Sequence, residues 1–156
     1  MSCYYLDASA LVKFYVDEAG SAWIRALLSA DSQPLVFTSR MTIIEMTSAF
    51  ARRRREGSLT VDEFVAARDA FRGDCLDMYQ VMPSTVEIVD VACDLLERHS
   101  LRAYDANHLA TAHTAHQFLV SQGYPGLVFV SADNQLNEVA VAEGLPVDNP
   151  NDHPEG

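Results

Sequence analysis

The chain has 156 residues, with 11 Lys and Arg against 22 Asp and Glu for a net charge of -11, and a length that suits one domain able to bury its apolar surface without staples. That balance argues against a general nucleic-acid coat and against binding acidic membranes, but not against a local carboxylate site whose bound cation would invert the sign. Cys3, Cys75 and Cys93 are odd in number, widely spaced and without a C-x-x-C pair, so they read as reduced core residues rather than a disulfide or zinc framework. The N-terminus runs into the first strand without a signal-like segment and no apolar run reaches the length of a membrane span, so a soluble, cytoplasmic protein is expected.

Cys3 to Leu6 is a short apolar run that reads as a buried strand ending at the lone carboxylate of Asp7. A helix over Ala8 to Val16 follows, then another from Ser21 to about Ser29, and a strand at Leu35 to Thr38 opened by Pro34. The next helix starts near Ser39 and stops at Gly57, with Ile43, Met46, Phe50 and Ala51 along one stripe. Thr60 to Glu63 is a capping-box sequence for a helix to about Leu76. Tyr79 to Met82 reads as a strand, and Ser84 to Glu87 as a second capping box before a helix to about His99. Ser100 to Tyr104 is expected as a loop, Asp105 to about Ser121 as an alanine-rich helix, and Leu127 to Val130 as the most strand-like run. A short helix to Ala142 and an edge strand at Gly144 to Val147 complete the pattern. Strands alternating with helices, without hairpin turns or repeats, predict one α/β domain over residues 1–148 with a mainly parallel sheet flanked by helices, and a loosely ordered tail over 149–156.

Within that pattern four acids stand out by position: Asp7, Glu45, Asp105 and Asp133. Asp7 and Asp133 each follow an apolar strand closely, so a parallel sheet would bring both out at the same edge, where ligands of open α/β sheets bind. The bland reading of Asp7 and Asp105 is a helix cap. Glu45 is mid-helix; at about 100° per residue it lies opposite the apolar stripe and in line with Ser48, Ala49 and Arg52. Its bland reading is a solvated face. Hard divalent ions take oxygen ligands and need only a few carboxylates plus waters and substrate phosphate, so a convergent Asp/Glu/Asp/Asp set points to metal-assisted phosphodiester hydrolysis.

The blocks Tyr5 to Lys13, Ile44-Glu45-Met46, Leu101 to Ala112 and Val130 to Leu136 resemble, in order and over nearly the whole chain, the four motifs of the PIN-domain ribonucleases, and more narrowly those of the VapC toxins. The resemblance implies a parallel sheet with the first strand central and a Mg²⁺- or Mn²⁺-dependent endoribonuclease. It also implies a small cognate antitoxin as inhibitor, with a homodimer as the expected assembly. Carried over by position, Asp7, Glu45, Asp105 and Asp133 match the family's catalytic and metal-holding acids, and Ser131 its small hydroxyl residue, here expected to contact substrate. Asn107 and Asn134 depart from the family's usual apolar and basic residues, which bears on substrate choice.

Arg52 to Arg55 is the one basic run, and it follows Glu45 on the same helix. Arg52 and Arg53 are expected either to contact RNA phosphate or to dock an acidic antitoxin segment; the bland reading is a solvated helix end favoured by the C-terminal dipole. Lys13 is expected at the surface. His108, His113 and His116 share a helix but lack partner Cys or His residues for zinc. Trp23, Tyr4 and Tyr5 read as core or dimer-contact aromatics. The rival functions are a non-catalytic PIN-fold binding domain and a phosphoryl-transfer domain. The latter fares poorly, because position 9 is Ser where a second Asp is wanted and the sole lysine is Lys13.

Overall fold

The computed structural model describes residues 1–29, 31 and 33–154. Its sheet is five-stranded and parallel at every pairing, in the order β3-β2-β1-β4-β5. The strands are β1 (Cys3–Leu6), β2 (Leu35–Ser39), β3 (Tyr79–Met82), β4 (Val128–Val130) and β5 (Val147–Asp148), so the first strand is central. The helices are α1 (Ala8–Tyr15), α2 (Ser21–Leu28), α3 (Met41–Glu56), α4 (Val61–Asp77), α5 (Val86–Arg98), α6 (Ala103–Ser121) and α7 (Asn134–Ala142). Among the described residues, no helix is long and apolar enough to cross a membrane.

The two-residue period of β1 divides the core. Cys3 and Tyr5 face α5, α6 and α7 together with Phe129 of β4. Leu6 faces the other way, with Val36 and Val130, onto α1 to α4 through Leu11, Ile24, Met46, Phe50 and Phe71. Both faces of the sheet are covered, which is why its strands are apolar runs rather than alternating ones.

Helix starts follow local chemistry. Thr60 makes a reciprocal capping box with Glu63 at the head of α4. At α5 the cap is Thr85, one residue later than expected, and because Ile88 then occupies the third helical position no reciprocal box forms. Helix α6 begins at Ala103, so Asp105 lies inside the first turn and is not its cap. Helix α3 stops at Gly57, whose φ of 84° is the left-handed conformation that glycine adopts without penalty.

Two expectations about burial are corrected. Lys13 is only 6% exposed, because its ammonium donates to the Ala19 carbonyl at 2.8 Å and to Glu18 at 3.3 Å. Cys93 is exposed rather than in the core, since it lies on α5 opposite the buried Ile88, Ala92 and Leu95. The segment expected as a loose tail begins differently: Asn149 and Pro150 are buried, residues Pro150–Asp152 form a 3-10 turn, and His153 stacks on Trp23 of α2 at 4.3 Å. Gly20 permits this packing, because a Cβ there would fall 2.5 Å from the Pro150 carbonyl oxygen. Of that tail, residues 155 and 156 lie outside the described residues.

Candidate functional site

The parallel sheet sends β1 and β4 out at one edge, and Asp7 and Ser131 are the first residues beyond them. Asp7 is 4% exposed and caps α1, accepting from the Ala10 N–H at 3.1 Å. Ser9 donates to its Oδ1 at 2.7 Å and Ser131 to its Oδ2 at 2.6 Å. Asp133 likewise caps α7 through the Leu136 N–H, and its own backbone N–H donates to Ser131 Oγ. Capping and membership of a site are therefore not alternatives here. A carboxylate at a strand end that starts a helix does the first and is placed for the second.

Burial pushes the Asp7 carboxyl above its usual range; nearby His108, the two serine hydroxyls and the Ala10 N–H offset this only in part. Ser131 is fully buried with its hydroxyl turned to Asp7, so it holds that carboxylate in place and is shielded from a substrate.

Glu45 reaches the same edge from α3, on the opposite face of the sheet from α6. His108 Nε2 lies 2.5 Å from its Oε1, and His108 Nδ1 lies 2.7 Å from the Tyr5 hydroxyl. Burial works against protonating His108, yet the hydrogen bond and charge of Glu45, with Asp7 and Asp105 beyond, carry its pKa above the ordinary imidazole value. Asp105 accepts from Arg102 Nε at 3.0 Å, and the same guanidinium reaches Asp133 at 3.6 Å. Asp105, together with Asp133 and Glu45, holds that guanidinium above its usual range. Asp7, Asp133 and Asp105 are thus linked through Ser131 and Arg102, while Glu45 is tied through His108 to Tyr5. Even so, among the described residues no three His, Cys, Asp or Glu side chains stand close enough to hold a metal ion as they are placed.

A cleft of about 500 Å³ opens beside Glu45, lined on the α3 side by Ile44, Glu45, Ser48, Ala49, Arg52 and Arg53 and across from them by Ser9, Lys13, Glu18 and Tyr104. This is the helix face that the rotation per residue predicts. Arg53 is tethered to Glu18 at 3.1 Å and to the Ala49 carbonyl, and Arg54 lies over the Phe64 ring at 4.6 Å. Asp105, Asp133 and Arg102 line a smaller neighbouring hollow of about 260 Å³.

Tyr5, Ser9, Arg102 and His108 belong to this arrangement although the sequence reading assigned them no part in it. Ser9 and Arg102 had a usable signal, two residues after one acid and three before another. His108 had a weaker one, a single imidazole one turn beyond Asp105 in a helix whose Ala106, Leu109, Ala110 and Ala112 are all buried.

The oxygen-only set Asp7, Glu45, Asp105 and Asp133 has the chemistry of a hard divalent-ion site. Comparison with known proteins agrees with the fold around it. "Ribonuclease VapC45" of Mycobacterium tuberculosis is 33% identical over 147 residues, covering 94% of this chain and 95% of that protein. "Ribonuclease VapC35" of the same organism is 32% identical over 143 residues, covering 92% and 93%. Among solved structures, FitAcB from Neisseria gonorrhoeae aligns at a TM-score of 0.67 and 16% identity over 94% of this chain and 97% of that one. VapC20 of M. tuberculosis, described as a sarcin-ricin loop cleaving toxin, aligns at 0.61 and 19% over 92% and 96%. Residues 4–142 match the PIN domain, and with the central first strand and the acids at its edge this makes the chain a member of the PIN-domain family.

Proposed function

We propose that this protein is a divalent-metal-dependent endoribonuclease that acts as the toxin of a toxin-antitoxin pair. The observation that carries the reading is the placement of Asp7, Glu45, Asp105 and Asp133 at one sheet edge, beside a cleft walled by Arg52 and Arg53. The relatives named as ribonucleases support RNA as substrate, and a solved VapBC complex of M. tuberculosis from a toxin-antitoxin family supports a small antitoxin as partner. The proposal includes a cytoplasmic location, a homodimer, and residues 1–148 as the nuclease domain.

Asp7, Glu45 and Asp105 would hold Mg²⁺ or Mn²⁺, with Asp133 completing the site directly or through water. Such an ion, when bound, acidifies water at neutral pH and stabilises charge on phosphate oxygens. The protein's own part is to hold the carboxylates in place. Ser9 and Ser131 fix both oxygens of Asp7, and Arg102, paired with Asp105 and Asp133 from an exposed position, holds those two carboxylates and would give them up to a bound ion. Across the cleft, Arg52 and Arg53 receive the RNA backbone. Lys13, though buried, contributes positive charge to the same wall.

Purified protein is expected to cleave RNA, and Arg52→Glu to raise the KM for RNA and flatten its dependence on salt with kcat little changed, because a phosphate contact has been lost rather than a reacting group. Unaltered KM and salt slope in that variant would assign Arg52 to a solvated helix end.

A further inference from the structure

We propose that His108 is the positioning residue for Glu45: its Nε2–H fixes the carboxylate at the sheet edge, and the Tyr5 hydroxyl fixes the imidazole. The inference rests on Glu45 being one of the metal-holding acids proposed above.

The geometry places a hydrogen-bonded chain across the sheet edge. Glu45 stands on α3, on one face of the sheet, with its side chain 26% exposed in the wall of the cleft. A Glu in mid-helix has three rotatable bonds and would sample the open cleft unless something held it. Among the described residues, the 2.5 Å contact with His108 is the one side-chain hydrogen bond that Glu45 makes. His108 comes from α6 on the opposite face and is itself held rigidly. It is 1% exposed, sits edge-on to the Tyr5 ring at 5.9 Å, and Tyr5 in turn stacks on Phe129 at 5.6 Å. A fully buried anchor thus reaches through the end of the sheet to one carboxylate.

Which nitrogen carries the hydrogen follows from the partners. The buried Tyr5 phenol keeps its proton, and its hydrogen can be given to Nδ1 at 2.7 Å. An accepting Nδ1 leaves the ring hydrogen on Nε2, pointing at a carboxylate that can only accept. A second proton on the ring leaves that Nε2–H in place. The contact therefore keeps its direction in either protonation state, and the inference does not depend on where His108 titrates. Hydrogen bonds of this kind, one step removed from the metal, orient ligands, and removing one commonly costs about 10–100-fold in metal affinity or activity. None of the catalytic roles assigned to the acids requires His108 to touch substrate.

The test is direct Mn²⁺ binding by the full-length protein, followed by electron paramagnetic resonance, with thermal melts alongside. His108→Leu is expected to weaken Mn²⁺ binding by about 10–100-fold, and His108→Gln, which keeps an N–H near the position of Nε2, to recover most of it. In an Glu45→Ala background, itself weakened, His108→Leu is expected to cost nothing further, since a pairwise coupling vanishes when its partner is gone. Wild-type affinity in His108→Leu, or the same fold-loss with and without Glu45, would overturn the proposal. If Glu45→Ala alone binds Mn²⁺ like the wild type, the metal reading of Glu45 fails and this inference fails with it. Should His108→Leu not fold, Tyr5→Phe keeps the ring packing and removes only the hydrogen given to Nδ1; a weaker Mn²⁺ affinity there supports the chain, and an unchanged one overturns it.

Discussion

Asp7→Asn is expected to reduce RNA cleavage to background while leaving a folded protein that melts, without metal at neutral pH, at or above the wild-type temperature. The two halves have one cause. Asp7 is buried at the end of β1, and burial raises its carboxyl pKa. A group whose folded pKa is raised contributes stability that is complete below its unfolded value and is lost as pH rises through the folded one. At neutral pH, where the unfolded chain carries Asp7 ionised, Asp7 therefore costs stability, and an uncharged Asn removes that cost. Asn is also as good a cap as Asp, and its carbonyl can keep the Ala10 N–H and Ser9 hydroxyl that Asp7 now accepts. The stability advantage of the variant should narrow as pH falls into the ordinary carboxylate range. What Asn cannot supply is the negative charge that attracts a cation. Thermal melts at several pH values together with an RNA cleavage assay check both halves, and undiminished cleavage by Asp7→Asn would remove Asp7 from the mechanism.

Phe129→Ala is expected to cost about 3–5 kcal/mol, the usual range for truncating a buried aromatic. Against a typical stability of about 5–15 kcal/mol, that endangers folding outright. Phe129 is fully buried in β4, beside the central strand, and stacks on Tyr5 at an interplanar angle of 12°. The cavity would sit under the ring that carries the hydrogen bond to His108, so the loss is not confined to packing. In denaturant melts the midpoint should fall with little change in slope, and Mn²⁺ binding by the folded fraction should weaken as well. A cost below about 1 kcal/mol, well short of the range for such truncations, would mean that the site can collapse around the gap and that Tyr5 is held by other contacts.

Much of the architecture was legible because it depends on patterns of a few residues. Apolar runs bounded by turn residues gave the first four strands, while the edge strand expected at Gly144 to Val147 lies at Val147–Asp148; the pleat of β1 separates Tyr5 from Leu6 as period two requires. Where reading failed, the deciding feature was one that only the folded chain displays. Lys13 looked like a surface residue because no sequence pattern announces that α1 will turn its ammonium onto Glu18 and the Ala19 carbonyl. Ser131 looked like a substrate contact because its bond to Asp7, 124 residues away, is made only once β1 and β4 pair. The expected start of α6 at Asp105 fell two residues late, because Arg102 precedes the helix without a side-chain cap to mark its first turn. His108 was weighed only as a zinc ligand, since its partners Tyr5 and Glu45 lie on other elements. Asp7 and Asp133 could be placed at one sheet edge from the sequence because position after a strand, unlike a side-chain contact, can be counted along the chain, whereas Glu45 and Asp105 lie inside helices and offer no such count.

The proposed chemistry needs a divalent ion held by these acids. The measurement that reaches it most directly is RNA cleavage by the purified protein, stripped with chelator and then titrated with Mn²⁺ or Mg²⁺, run beside Asp7→Asn. Cleavage that is lost on stripping, returns with the added ion and never appears in Asp7→Asn is the predicted result. Full cleavage by the stripped protein, or metal-restored cleavage by Asp7→Asn at the wild-type rate, would contradict it.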